Sequence, residues 1–332
     1  MKKRYFAITV IVLLWGCKKE IPFIDNFNDK GQATFSEIDS IPEFLLYYPI
    51  RLLKVENSFV ISDYKGDKIF TVVNESGRIF QFGNRGRGPD EFIDGYGLAP
   101  LTDTTFVVFD RMLKRISFFE MKNDTIFCYR KMKVPAINNI FPFNDSIFVT
   151  NGNTPFVKNY GVLDLYKDTA YSYIDYPECP KKGKFPEQAM QRAYYSHIVK
   201  KPNSNRYVSF KSSHYIIDVM DLEGTKLKLL ERKTFAHNKW EISKNVPVPG
   251  VRGTLNRITA KITGSNNQIF VCYKIQEGDK SQWSILTFDW KGNPNNRYNI
   301  SFEPYAIVCK NDSLYCIALI GEKYKLVKID VL

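Results

Sequence analysis

Six times along this 332-residue chain a short polar turn leads into a run of alternating apolar residues. The turns begin Glu56-Asn57-Ser58, Thr102-Asp103-Thr104, Asn144-Asp145-Ser146, Asn203-Ser204-Asn205, Asn266-Asn267-Gln268 and Asn311-Asp312-Ser313. A second apolar run follows each: Ile69 to Val73, Ile116 to Phe119, Val162 to Leu165, Tyr215 to Val219, Ser284 to Phe288 and Lys325 to Ile329. Asn, Asp and Ser bond their own backbone and tolerate left-handed conformations, so they close hairpins, whereas Phe, Val, Ile and Tyr suit a pleated, half-buried surface. Further turns at Asn74-Glu75-Ser76-Gly77, Asp221-Leu222-Glu223-Gly224 and Asp289-Trp290-Lys291-Gly292 precede another strand, which makes four strands per unit. A repeat of roughly 40 to 60 residues built this way is a propeller blade. The expected fold is therefore all-β, a six-bladed propeller of four-stranded antiparallel blades.

The ends of the chain predict how the ring closes. The sixth unit supplies apolar runs at Ala306 to Cys309, Leu314 to Ile320 and Lys325 to Leu332, one strand short of a blade. An open edge there invites aggregation. Gln32 to Ile38 alternates with period two and is expected to fill the gap as an N-terminal outer strand.

At the start, Lys2, Lys3 and Arg4 precede an apolar core from Tyr5 to Trp15, and Gly16-Cys17 closes it, the layout of an export signal. Leu13-Leu14-Trp15-Gly16-Cys17 resembles a bacterial lipobox, with Trp15 where a smaller residue is usual. The resemblance implies a diacylglycerol-modified Cys17. The expected organisation is a signal peptide over 1–16, a lipid-anchored tether over 17–31 and the propeller over 32–332. Helical character is confined to Pro186 to Ala193.

Charge and cysteine usage bound the chemistry. There are 47 basic and 35 acidic residues; without Lys2, Lys3 and Arg4, 44 against 35 leaves +9. On an exported chain that excess does not read as nucleic-acid binding; acidic glycans or phosphorylated headgroups are possible partners, beside the plainer reading of dispersed surface lysines. Cys128, Cys179, Cys272, Cys309 and Cys316 show no CxxC spacing, and the histidines, His197, His214 and His237, lie away from them in sequence. No metal or cofactor is expected, and the cysteines read as small core residues. Cys309 and Cys316 flank a turn, the one pair that could face across two strands.

One segment is more specific: Phe82-Gly83-Asn84-Arg85-Gly86-Arg87-Gly88-Pro89-Asp90-Glu91-Phe92. It resembles the FGxxGxGPxEF connection of the TolB-like six-bladed propeller lipoproteins of Gram-negative bacteria, with Asp90 in place of a glycine. The resemblance implies an exported propeller and no catalytic residues. The residues themselves leave two readings. Glycines at 83, 86 and 88 with Arg85 and Arg87 could cradle an anion, or the loop is a demanding turn between blades with Glu91 accepting backbone or arginine bonds.

Other candidates are local. Arg192, Tyr194, Tyr195 and His197 cluster before the fourth blade, which suits sugar stacking or acid recognition at a channel mouth, or packing between blades. Pro247 to Gly253 reads as a rim loop or a plain connection, and His214 has hydroxyl neighbours without a carboxylate. Three functions stay open: a lipid-anchored binding or scaffold protein for an envelope protein or glycan, an enzyme such as a sugar lyase, lactonase or hydrolase on the channel face, or an assembly subunit. The expected location is the cell envelope of a Gram-negative bacterium, anchored in the outer membrane. Binding is favoured because no acid and histidine constellation is visible.

Overall fold

The computed structural model describes residues 22–40, 46–153, 156–177, 187–211, 215–235, 240–243, 246–249, 257–277 and 280–331. A 3-10 turn (Phe23–Asn26) leads into β1 (Asn28–Gln32) and β2 (Thr34–Ser40). Blade 1 is β3 (Pro49–Val55), β4 (Ser58–Asp63), β5 (Lys68–Asn74) and β6 (Ile79–Asn84); blade 2 is β7 (Gly97–Pro100), β8 (Thr105–Asp110), β9 (Arg115–Lys122) and β10 (Thr125–Lys133). Blade 3 is β11 (Ile140–Pro142), β12 (Ile147–Asn153), β13 (Phe156–Asp164) and β14 (Thr169–Tyr173), followed by α1 (Glu187–Ala193). Blade 4 is β15 (Ser196–Lys200), β16 (Arg206–Lys211), β17 (Ile216–Glu223) and β18 (Lys226–Thr234), followed by a hairpin of β19 (Trp240–Ser243) and β20 (Val246–Pro249). Blade 5 is β21 (Arg257–Gly264), β22 (Ile269–Glu277), β23 (Lys280–Phe288) and β24 (Pro294–Ile300); blade 6 holds β25 (Glu303–Lys310), β26 (Ser313–Ile320) and β27 (Lys323–Asp330).

Strands pair in chain order within each blade. The innermost strands β3, β7, β11, β15, β21 and β25 touch their neighbours in that order, and β25 meets β3, so the ring is closed. Antiparallel order puts the starts of first and third strands and the ends of second and fourth strands on one face. On that face the chain passes from blade 1 to 2, from blade 3 to 4 and from blade 4 to 5 by its longest connections, and we call it the loop-rich face. The opposite face carries tight turns, where Asn123, Asp124, Asn311 and Asp312 adopt the left-handed φ values of 49° to 57° expected of two-residue hairpins.

Blades pack face to face, so a strand buries both its sides. In β22, Ile269, Val271 and Tyr273 join Val208, Phe210 and Ile217 of blade 4, while Phe270 and Cys272 join Leu314, Cys316 and Val327 of blade 6. Each fully buried Phe or Leu contributes about 1.5 to 3 kcal/mol. Two-sided burial explains why these strands read as nearly continuous apolar runs.

The N-terminal clasp is present. β2 pairs antiparallel with β27, from Thr34 opposite Asp330 to Ser40 opposite Lys325, and Thr34 Oγ1 donates to Asp330 Oδ2 at 2.9 Å. The tether expected over 17–31 is corrected from Phe23 onward. Phe23 and Phe27 are buried, and β1 pairs in parallel with β24 as a fifth strand of blade 5. Phe23 stacks on Tyr215 at 4.4 Å and Phe27 meets Phe288 edge-on at 5.1 Å. Two rings four residues apart fill a slot between blades 4 and 5, a fit that their polar neighbours Asp25, Asn26, Asn28 and Asp29 conceal in the sequence.

The cysteine pair is also corrected. The β25–β26 register sets Cys309 opposite Leu314 and Cys316 opposite Ile307, and both are free thiols, as are Cys128 and Cys272. The two-residue turn sets the cysteines two pairs apart along the ladder. Cys17 and Cys179 lie outside the described residues.

Candidate functional site

On the loop-rich face, blades 1 and 2 end their second strands in a carboxylate that holds backbone. Asp63 accepts from the amides of Tyr47, Tyr48, Lys65 and Gly66. Asp110 accepts from Ile93, Asp94 and Leu113. Toward the corresponding ends in blades 3 and 4 stand Asn151 and Lys211, and there the arrangement changes from a brace to a recess.

That recess is lined by Asn138, Asn151, Asn159, Tyr176, Gln191, Tyr194 and Tyr195. The connection after blade 3 supplies its cover: α1 packs against β12 and β20, and Ala193, Tyr194 and Ile216 form a small apolar cluster with Tyr176 and Met190. The Tyr194 amide donates to Met190 O at 2.9 Å, and its ring lies 6.1 Å from that of Tyr176. Tyr176 OH donates to Lys158 O at 3.1 Å.

Two amides in the recess have fixed orientations. Asn151 Nδ2 donates to the carbonyl of Ser196, which can only accept. Asn159 Oδ1 accepts from Lys211 Nζ at 3.2 Å, and an ammonium can only donate. Asn151 Oδ1 and Asn159 Nδ2 are then left without partners, although the residues are 3% and 2% exposed. Among the described residues, ten buried side-chain polar atoms lack a partner; five of them belong to Thr150, Asn151, Asn159, Ser196 and Tyr207, on the facing blades 3 and 4. An orphaned buried donor or acceptor costs about 1 to 3 kcal/mol, so this concentration marks a place where polarity is retained against stability. A larger peripheral cleft, lined by Val134, Pro135, Leu163 and Asp168 among others, holds none of these atoms.

Behind Asn159 lies a buried charged cluster. Asp218 receives Arg232 Nε at 2.6 Å and Nη2 at 3.0 Å, and Tyr160 OH at 2.7 Å. Lys211 Nζ stands 3.6 Å from Asp218 Oδ2 and donates to Tyr160 OH at 3.1 Å. Burial pushes the Lys211 amine down to about 8, with Asp218 opposing it. Burial works to raise the Asp218 carboxyl, but Lys211 and Arg232 outweigh it and hold it below the usual range. The cluster fixes Asn159 from behind.

Tyr195 joins the recess to residues of blades 1 and 2. Burial raises the Tyr195 phenol, with Tyr96, Arg51, Asn151 and Arg111 close enough to act on it. Arg51 stacks over the Tyr96 ring at 4.6 Å and donates from Nε to Tyr96 O at 3.1 Å, and Arg111 pairs with Asp94 at 3.1 Å. His197, 5.2 Å from the Tyr195 ring, is pushed down to about 3, first by burial and then by Arg51. It is a neutral imidazole near neutral pH, with no carboxylate in the described contacts to make it a general base.

The structure sets the Tyr195 ring beside His197, and Tyr194 and Tyr195 both line the recess. Arg192 lies in α1, but its side chain is outside those described, and His214 and 250–253 are outside the described residues. Residues 247–249 of the segment read as a rim loop or a plain connection lie in β20. Arg85 and Arg87 stand apart from this site. Arg85 spends its guanidinium on the carbonyls of Gly66, Ile93 and Tyr64, at 2.8 to 3.1 Å, while Arg87 is exposed. Glu91 Oε2 accepts from the Gly88 amide at 2.7 Å, and a Cβ on Gly86 would stand 2.0 Å from the same oxygen. The chain's own carboxylate fills the nest that an outside anion would need.

Sequence reading missed Asn151, Asn159, Lys211, Asp218 and Arg232. A signal existed for two of them: Lys211 closes Tyr207-Val208-Ser209-Phe210, and Asp218 interrupts Ile216-Ile217 and Val219-Met220. A charge inside a run buried on both faces requires a partner.

Comparison with known proteins agrees with the architecture. The family model described as TolB-like 6-blade propeller-like matches residues 26–312. The crystal structure of a protein named as exported from Bacteroides fragilis superposes with a TM-score of 0.58 at 11% identity, covering 92% of this chain and 99% of that one. Virginiamycin B lyase from Staphylococcus aureus gives 0.45 at 14% identity, over 91% and 100%. No curated protein matches the sequence.

Proposed function

Because the chain belongs to the TolB-like six-bladed propeller family, we propose that it is an exported binding protein, lipid-anchored at Cys17 in the outer membrane of a Gram-negative cell envelope. Its ligand carries a neutral hydroxyl or amide, as the end of a glycan does, and presents that one group to the recess between blades 3 and 4, which has room for about one water-sized group. The observation that carries this reading is the pair Asn151 Oδ1 and Asn159 Nδ2, one fixed acceptor and one fixed donor buried in one recess. A hydroxyl or a secondary amide carries both the donor and the acceptor that these atoms call for, whereas a carboxylate offers only acceptors. Tyr176, Tyr194 and Tyr195 line the same recess and give its wall an aromatic character suited to the apolar side of such a group. Lys2 to Cys17 support export and anchoring from the sequence alone.

The test is a glycan array followed by calorimetric titration, with Asn151→Leu and Asn159→Leu alongside the wild type. A bound neutral saccharide should lose about ten- to a hundredfold in affinity in each variant, the weight of one buried hydrogen bond. Undiminished binding by both folded variants, or a wild type that takes only acidic saccharides, would overturn this assignment.

A further inference from the structure

Phe23 is the first buried side chain among the described residues, and its position fixes where the preceding chain leaves the fold. Its ring lies 4.4 Å from Tyr215, 5.7 Å from Phe235 and 5.8 Å from Tyr273. Tyr215 directly precedes β17 and Phe235 directly follows β18, and the Phe235 amide donates to Tyr215 O at 3.1 Å. Both therefore mark the loop-rich end of blade 4, and Tyr273 belongs to the second strand of blade 5. The chain enters the propeller at the loop-rich face, in the seam between blades 4 and 5.

Five residues, Lys18 to Pro22, separate Phe23 from Cys17. Six Cα steps reach at most about 21 Å when fully extended. A domain of this size has a radius of gyration of about 19 Å and a diameter near 50 Å. The tether is then shorter than half the molecule, so a lipid on Cys17 does not leave the propeller free to tumble above the bilayer.

We infer that this tether holds the edge between blades 4 and 5, at the loop-rich face, against the headgroups of the membrane that takes the lipid. Blades 1 and 2, diametrically opposite in a ring of six, are held farthest away, with their tight turns directed outward. The inference rests on lipidation of Cys17 and adds to it an orientation, which places the recess of blades 3 and 4 on the membrane-proximal side. A ligand for that recess is then met close to the bilayer surface.

The experiment uses the full lipidated chain in vesicles of phosphatidylethanolamine and phosphatidylglycerol, with a fraction of lipid carrying a headgroup nitroxide. A dye is placed at Thr234→Cys, exposed at the loop-rich end of β18, or at Asp103→Cys, exposed in the tight turn of blade 2. Cys128, Cys179 and Cys309 are changed to serine as background, and intact mass establishes the lipid on Cys17. The dye at position 234 should lose more than half of its emission and the dye at 103 almost none. A Gly/Ser spacer of ~20 residues after Glu20, with a reach of about 25 Å, should erase the difference. Equal quenching at both positions with the native spacing and the lipid in place overturns the orientation alone. An unmodified Cys17 in the native host overturns the anchoring and the orientation with it.

Discussion

Lys211 Nζ donates to Asn159 Oδ1 at 3.2 Å, and this one bond joins a buried ion cluster to the polar recess. The ammonium sets the orientation of the Asn159 amide, and Asp218, 3.6 Å away, works against burial to keep it charged. Replacing Lys211 with Met removes one partner of a buried pair and leaves Asp218 to Arg232 and the Tyr160 hydroxyl. The expected loss is about 3 kcal/mol in denaturant unfolding, against about 1 to 2 kcal/mol for Asn159→Ala. If Lys211→Met is no more costly than Asn159→Ala, the cluster does not hold the recess as described.

The glycine loop yields a second contrast. Gly83 has φ +74°, and a Cβ there would stand 2.8 Å from the buried Phe70 ring. Gly83→Ala combines backbone strain with overpacking and should cost about 2 to 4 kcal/mol. Arg85→Ala should cost about 1 to 2 kcal/mol, because three backbone carbonyls lose a charged donor at a partly solvated site. Arg87→Ala should stay within about 0.5 kcal/mol. Thermal unfolding of the three variants gives the ranking, and an Arg87 effect as large as that of Arg85 would contradict it.

What the sequence disclosed follows from period and chemistry. Repeated Asn, Asp and Ser turns fix strand ends because their preference is local, and alternating runs fix strands because two-sided burial leaves almost no polar positions in them. The pairing of β2 with β27 was legible for the same reason: a blade lacking a strand and a period-two segment complement each other. The docking of Phe23 and Phe27 was not, since two rings in a polar stretch carry no period. The recess was half legible. Tyr194, Tyr195 and His197 are adjacent in sequence, whereas Asn151, Asn159 and Lys211 come from three strands of two blades and meet only through the ring.

The N-terminal segment should contribute more than closure. Phe23 sits among Tyr215, Phe235 and Tyr273, and Phe23→Ala should cost about 3 to 5 kcal/mol as a core truncation. Removing residues 1–21 should leave the melting temperature nearly unchanged, because the described contacts of the segment begin at Pro22, whose carbonyl accepts from the Asp25 amide at 2.9 Å. Removing residues 1–33 should lower it sharply, since the slot between blades 4 and 5 and the edge of β24 are then both uncovered. Equal melting temperatures for the two truncations would return Phe23 to Gln32 to a passive tether.

His197 should make the protein acid-sensitive in a specific window. Its imidazole is pushed down to about 3 by burial and by Arg51, against an ordinary value of 6.5. Between those two values the unfolded chain binds a proton that the folded chain refuses. The stability tied to neutral His197 is therefore complete above pH 6.5 and is lost progressively as the pH falls toward 3. One such proton is worth about 1.4 kcal/mol per pH unit. His197→Gln keeps a polar side chain at the mouth and removes the titration, while the carboxylates elsewhere titrate in both proteins and cancel in the difference. The stability of the wild type relative to His197→Gln should decline by about that slope from pH 6 to pH 4 in urea titrations. Parallel pH profiles would mean that the imidazole takes up a proton in place, which requires solvent to reach the mouth between Tyr195 and Arg51.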